Sequence, residues 1–377
     1  MSLPPPSPEV TVTFFAALQH LPDPRDTRGK RHDLAFVLCG VILAIMAGRA
    51  RVSAIHRFLC NRLAWLGELT PTSVARGISR AHLPRLLARV DWAALNTLRM
   101  GHFGLEVKSP VAGEWIAVDG KARRGSPGEP VVLARTQQSG QVVAYQPLTG
   151  PKASEVPTVR ALLAQSPLQG RKVPLEALPC NPGTIAQIHQ AQGGYLGQVK
   201  ANPPTLLAAV QTLTATVLPL GTQQSVEKAH GRLAERRASF FSLAALPLVP
   251  RWQHSGLRHV IRVARTTAQL KPAKRSQELS SYVPTQAAET PEAQDALFVA
   301  IGDHGGCEAD HWIRDVTCQE AQIAVKHSAQ AHVFGVLRTL VMGLFRQAGV
   351  TNMQAILDTL ADSPAAFTQL LCQVGFL

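Results

Sequence analysis

The chain has 377 residues, with 38 Lys and Arg against 25 Asp and Glu, for a net charge of +13. That length gives room for two or three domains and a sizeable core, which excludes a small stapled scaffold. The charge points to a polyanion partner, nucleic acid first, and six scattered cysteines without a CxxC pair fit a reduced, cytoplasmic setting rather than a disulfide framework.

The N-terminus, Met1 to Pro6, has no basic stretch followed by an apolar one, so no signal peptide is expected. Leu34 to Ala47 is apolar throughout. It falls short of the roughly 18 to 20 residues that span a bilayer, and it predicts a buried core helix and no membrane partner. Ser53 to Leu59 begins an amphipathic helix with Ser53 as its N-cap, and a further helix, from Leu83 to Leu87, carries Arg80, Arg85 and Arg89 around an apolar stripe. Basic residues on helices are most often a solvated face, and in a cationic chain they are also candidates for DNA contact.

From about residue 112 the pattern changes to short strands. Trp115 to Val118 is an uncharged run that stops at Asp119-Gly120-Lys121, followed by Arg123 and Arg124. An unpaired carboxylate cannot be buried cheaply, so Asp119 belongs at a sheet rim, where a metal ion is one possible partner. Lys121, Arg123 and Arg124 would suit a phosphate-rich substrate. The plainer alternative is a strand ending in an Asp-Gly turn beside solvated basic residues. Strands at Glu129–Arg135 and Gln141–Gln146 flank a turn at Gln137-Gln138-Ser139-Gly140. After them come a helix from Ser154 to Gln165, a strand from Lys172 to Ala177, a helix from Thr184 to Gln192 and a strand from Tyr195 to Lys200.

Three antiparallel strands, then helix, strand, helix and strand, form the order of a ribonuclease-H-like sheet. Beyond it, Thr205–Leu213 and Ser225–Phe241 read as helical, His259–Ala264 and Leu279–Val283 as strand-like pieces, and Lys271–Glu292 as rich in loop residues. From His304 the chain reads as helical to the end, with an amphipathic helix at Val333–Phe345.

Taken together, these segments resemble the DDE transposases of bacterial insertion sequences, most closely the H-repeat-associated type. Asp23-Pro24-Arg25-Asp26-Thr27-Arg28-Gly29-Lys30-Arg31-His32 ahead of an apolar helix is similar to that family's associated helical domain. Ile116 to Lys121 matches its first catalytic strand, and Lys152-Ala153-Ser154-Glu155-Val156-Pro157 resembles its Lys-x-Asn-Glu-Ile-Pro segment. Tyr195 with Lys200-Ala201-Asn202, His230-Gly231-Arg232 with Arg236, and Leu337-Arg338 with Gly349 to Asn352 follow in the family's order.

The resemblance implies an α/β chain with a ribonuclease-H-like mixed sheet core and an inserted segment, plus a helical N-terminal domain and a helical C-terminal tail. It divides into a helical, DNA-binding part (1–105), the first part of the core (112–202), an inserted middle segment (203–295), and a third-acid helix with C-terminal helices (296–377). The implied catalytic and metal-binding residues are Asp119, Glu176 and Glu308, holding two Mg²⁺ or Mn²⁺ ions. Lys121, Arg123, Arg124, Lys200, His230 and Arg232 are the implied DNA contacts. Implied partners are the element's terminal inverted repeats and target DNA, bound as double strands by a homodimer. His230 reads equally well as a capping or core residue.

Two departures separate an active enzyme from a decayed or repurposed DNA-binding copy. The family has Asp where this chain has Glu176, and Gly302, Gly305 and Ala309 replace side chains around the third acid. Phosphodiester cleavage and joining is an in-line displacement served by two divalent ions, and Mg²⁺ takes hard oxygen ligands in near-octahedral geometry. One added methylene shifts a carboxylate by about 1.5 Å, and a misplacement of about 1 Å can cost about a hundredfold in rate. His304, Glu308 and His311 have a zinc-like spacing, but Gly305-Gly306 argues against a shared helical face. Trp312 reads as a packing residue in preference to a base-stacking one.

Overall fold

The computed structural model describes residues 13–72, 76–105, 114–121, 130–148, 155–164, 170–175, 181–200, 204–229, 231–245, 250–269, 274–303, 310–320, 325 and 327–377. Six helices come first: α1 (Phe14–Leu18), α2 (Leu34–Met46), α3 (Val52–Asn61), α4 (Leu63–Leu69), α5 (His82–Leu87) and α6 (Trp92–His102). Asp33 caps α2, accepting from the Phe36 amide at 2.7 Å, and every residue of α2 is buried. α3 starts earlier than its sequence implies. Its N-cap is Arg51, with no side-chain cap bond, and Ser53 lies inside the first turn.

A single nine-stranded sheet follows, with spatial order β3-β2-β1-β4-β5-β9-β8-β7-β6. Its first half comprises β1 (Ile116–Lys121), β2 (Val131–Thr136), β3 (Val142–Pro147), β4 (Lys172–Leu175) and β5 (Gly194–Val199). β1, β2 and β3 pair antiparallel, while β1, β4 and β5 are parallel to one another. Parallel pairing needs crossovers, supplied by α7 (Glu155–Ala164) and α8 (Pro182–Gln190). Asn181 caps α8, accepting from the Thr184 amide at 3.0 Å, so this helix begins at Pro182 rather than Thr184. These helices and α9 (Pro204–Thr216) cover one face of the sheet, packing Val159, Ile185 and Val210 over Ile116, Val118 and Val173.

The second half corrects the sequence reading. Residues 225–229 and 231–241 are not helical; they belong to the antiparallel hairpin β6 (Gly221–Ala229) and β7 (Arg232–Ser242), with His230 outside the described residues. Ala, Glu and Arg give this stretch helical propensity, and pairing with a neighbouring strand overrides it. Gly231 in the turn has φ +71°, which a glycine adopts without strain. β8 (His259–Gln269) and β9 (Lys274–Pro284) extend well beyond the short pieces expected, and β9 occupies half of the loop-rich stretch Lys271–Glu292. β9 joins the sheet to β5 through Leu196–Pro284 to Val199–Ser281. Its residues before Ser281 pair only with β8, so β6 to β9 project past the carboxyl ends of β1, β4 and β5. From Ser281 back to Lys274 that projection is about 23 Å at about 3.3 Å per residue.

α10 (Pro291–Asp303) packs Leu297, Phe298 and Ile301 against Ala238, Phe240 and Ile261. After a short π-helix, Ile313–Thr317, the chain ends in α11 (Ser328–Gln347), α12 (Met353–Asp362) and α13 (Pro364–Gln373). α11 is not amphipathic in place: Gln330 to Met342 are buried without a break. By length and composition it could cross a bilayer, yet 83% of that window is buried within the protein, as for a core helix. The C-terminal helices share one hydrophobic cluster with α1 to α6 and with Val131, Leu133, Val142 and Tyr145 of the sheet. The Phe14 and Phe15 amides bond the carbonyls of Gly375 and Phe376, joining the two ends of the described chain.

Candidate active site

Strand alternation sorts the residues of β1. Ile116 and Val118 enter the core under α7 to α9, which leaves Ala117 and Asp119 on the opposite face. Asp119 lies near the carboxyl end of β1, with its side chain 22% exposed. His311 Nδ1 stands 3.4 Å from Asp119 Oδ2. The two border a cleft of about 10 Å³ shared with Arg135, Asp310 and Arg314, room for roughly one water molecule.

The segment that presents His311 is held by charge. Asp310 is 5% exposed, and its carboxylate lies between Arg135, with Nε 2.7 Å from Oδ2, and Arg346 on Oδ1. Arg346 also donates to the Gly140 carbonyl, which ties α11 to the β2–β3 turn. Burial pulls the Arg346 pKa down to about 10; Asp310 opposes the shift, and Arg135 and Arg314 add to it. Arg314 donates to Thr339 Oγ1 at 2.9 Å and pairs with Glu320 at 3.8 Å. The π-helix inserts one residue into the helical repeat, with the Cys318 amide bonding the Ile313 carbonyl at 2.8 Å. Removing one partner from such a buried ionic group leaves an uncompensated charge, so the arrangement is a rigid support for His311 against Asp119.

Of the three acids named from the sequence, Asp119 is described and Glu176 and Glu308 lie outside the described residues. Val118 pairs with Leu175, and these are the residues immediately preceding Asp119 and Glu176. Among the described residues no group of three or more His, Cys, Asp or Glu side chains gathers as a metal site. Asp119 is thus the described donor, and its partly exposed hard carboxylate fits one ligand position of Mg²⁺ or Mn²⁺. His304 lies outside the described residues, as does the remainder of the zinc-like spacing apart from His311.

Lys121 ends β1, and Lys200 follows β5 as an exposed residue, so both belong to the rim that carries Asp119. Arg123, Arg124 and His230 lie outside the described residues. Arg232 is exposed at the far tip of β7, eight residues from Phe240 and so about 26 Å along the strand from the level of the core. Trp312 is not a packing residue, being 60% exposed beside His311. A Cβ at Gly302 would meet the guanidinium of Arg236, which lies 4.5 Å from the Phe298 ring centre and would have to shift. The Arg135–Asp310–Arg346 group went unread in the sequence. Its one visible signal was a lone charge, Arg135, closing the apolar run Val131 to Ala134.

The fold and rim define a mixed α/β protein with an acid at the carboxyl rim of a mixed, mostly antiparallel sheet. Residues 15–102, less than half of the chain, match the family model of the DDE_Tnp_1-associated domain. The chain is also 27% identical over 230 residues to a curated protein described as an uncharacterized protein in the dhlA 3′ region of Xanthobacter autotrophicus, a match covering 58% of this chain and 76% of that one.

Proposed function

We propose that the chain is an insertion-sequence DDE transposase of the H-repeat-associated type, cutting and rejoining DNA at a metal site formed by Asp119, Glu176 and Glu308 on a ribonuclease-H-like core. The observation that carries this reading is the placement of Asp119. It stands at the carboxyl rim of β1, between antiparallel β2 and parallel β4 in the order β3-β2-β1-β4-β5, with a helical segment laid against it through His311. The DDE_Tnp_1-associated match on the N-terminal helices supports the same reading.

The three carboxylates are the groups that would hold two Mg²⁺ or Mn²⁺ ions. Bound there, the ions supply Lewis acidity to the attacking and leaving oxygens of a phosphodiester. Lys121 and Lys200 would offset phosphate charge at the rim, with Arg123 and Arg124 beside them in sequence. In the projecting strands β6 to β9, exposed Arg232 and Arg265 share Asp119's face of the sheet, as a cationic guide for a duplex, while exposed Lys228, Arg237 and Arg275 stand on the other face. His230, between β6 and Arg232, belongs to the same set. Two element ends must be cut together, which calls for a homodimer on double-stranded DNA, working in the cytoplasm. The second reading, a decayed copy that binds DNA without cutting it, rests on Glu176 standing where the family has Asp.

A labelled duplex carrying the element's terminal repeats, incubated with Mg²⁺ or Mn²⁺, separates the two. The active reading requires cleavage by the wild type and none by Asp119→Ala. A silent wild type with an active Glu176→Asp variant would establish the decayed copy. Cleavage by Asp119→Ala at the wild-type rate would reject the site altogether.

A further inference from the structure

A cavity of about 560 Å³ lies between α6, α11, the β2–β3 turn and residues 374–375, bordered by Arg99, His102, Gln138, Gln141, Thr339 and Arg346. This is the size of an ordinary small-ligand pocket. It is far too small for a duplex, and neither Asp119 nor His311 is among its lining residues.

Its chemistry is unbalanced. Arg99 is 2% exposed, and its hydrogen bonds go to neutral groups: the Val142 carbonyl at 3.0 Å and Asn96 Oδ1 at 3.0 Å. No carboxylate among the described residues pairs with it. Burial drags its pKa down to about 9, and the nearby Arg314 charge adds to the shift. Arg135 and Arg346 share Asp310, and Arg314 has Glu320. Arg99 alone of these four guanidiniums has neutral partners only. A buried, uncompensated cation beside an open cavity is stabilised by any ligand that brings negative charge, and the planar guanidinium fork favours oxyanions.

We propose that this cavity binds a compact polyoxyanion, of the phosphoryl or polycarboxylate class, with Arg99 as its charge partner and Arg346, Gln138 and Gln141 around it. The site is separate from the DNA-cutting rim and stands whether or not the chain is a transposase. Arg346 borders the cavity and also grips Asp310, next in sequence to His311, so an occupant touches the support of the Asp119 site.

The test is thermal unfolding of the 377-residue chain at fixed ionic strength, titrated with pyrophosphate or with citrate against a sodium chloride control. The wild type should show a saturable rise of roughly 2 °C with at least one of the two, and whichever acts at lower concentration assigns the class. Arg99→Gln should lose the rise, Gln141→Leu should need about tenfold more ligand, and Asp119→Ala should respond as the wild type does. No saturable rise in the wild type, an undiminished rise in Arg99→Gln, or a rise abolished by Asp119→Ala would overturn the site. Should Arg99→Gln fail to fold, Gln141→Leu decides, and an unchanged half-saturation there overturns it as well.

Discussion

In β1, β2, β4 and β5, almost every described side chain is covered, by α7 to α9 on one face and by α11 or α10 on the other. In the outer halves of β6 to β9, within the same sheet, both faces are largely open to solvent, and Arg, Lys, Glu, Ser and Thr outnumber apolar residues. The contrast shows how one sheet serves two purposes. The covered half can hold a carboxylate in a defined position, because each neighbouring charge is paired and fixed. The open half has little burial to lose, so it tolerates a row of cations and can offer them to a polyanion. Position matters in the first, and summed charge in the second.

Mutations should split along that line. The largest effect belongs to Asp119→Ala. Under the proposed function, loss of this metal-ligand carboxylate removes several kcal/mol of transition-state stabilisation, so DNA cleavage should fall by roughly a thousandfold or more with the unfolding midpoint unchanged within about 2 °C. Next is Asp310→Ala, which leaves Arg135 and Arg346 buried without their shared carboxylate and should cost about 3 to 5 kcal/mol in urea unfolding. Its counterpart in the open half, Arg232→Ala with Arg265→Ala, both exposed on Asp119's face, should leave stability within about 0.5 kcal/mol. The same pair should lower the slope of log affinity for DNA against log salt by about one per residue. If that double variant unfolds the protein, or if Asp310→Ala does not destabilise it, the contrast between the halves is wrong. Gly231→Ala, at φ +71° in the β6–β7 turn, should cost about 1 kcal/mol and no more.

The smallest effect is a pH dependence in the helical unit. Burial lowers the His102 pKa, with a backbone hydrogen bond at Gly375 opposing. The unfolded chain therefore takes up the proton first. The stability this histidine contributes is present above its unfolded pKa near 6.5 and is lost as pH falls through its lower folded value. A small drop in unfolding midpoint between pH 7 and pH 5, reduced in His102→Gln, is the expected result.

The covered half was the legible one. The strands expected at Trp115–Asp119, Lys172–Ala177 and Tyr195–Lys200 are largely apolar stretches between turn signals, and β1, β4 and β5 appear within a residue or two of those places over the described residues. Asp119 was legible for the same reason, as a charge that ends such a run. The open half was obscured by its own exposure. Ser225 to Ala238 has no apolar stripe of either period, and its Ala, Glu and Arg content favours a helix in isolation; only pairing across the β6–β7 hairpin and with β8 makes its two halves strands. α11 was misjudged in the opposite sense. The expected amphipathic helix at Val333–Phe345 has no exposed polar face over Arg338 and Thr339, because Thr339 meets Arg314 and Arg338 lies over the Phe334 ring, and the preceding His332 meets Tyr145 at 3.3 Å. Trp312 failed by the same limit, since no local pattern tells whether an aromatic on a short helical segment finds a partner.

The most direct measurement is a Mn²⁺ titration of the protein bound to DNA, followed by the loss of the free-ion electron paramagnetic resonance signal, for wild type, Asp119→Ala and Lys200→Ala. Asp119 as a metal ligand predicts saturable binding by the wild type and by Lys200→Ala, and at least tenfold weaker binding by Asp119→Ala. Equal Mn²⁺ affinity in all three proteins, or no saturable binding in any, would contradict a metal site at the rim of β1.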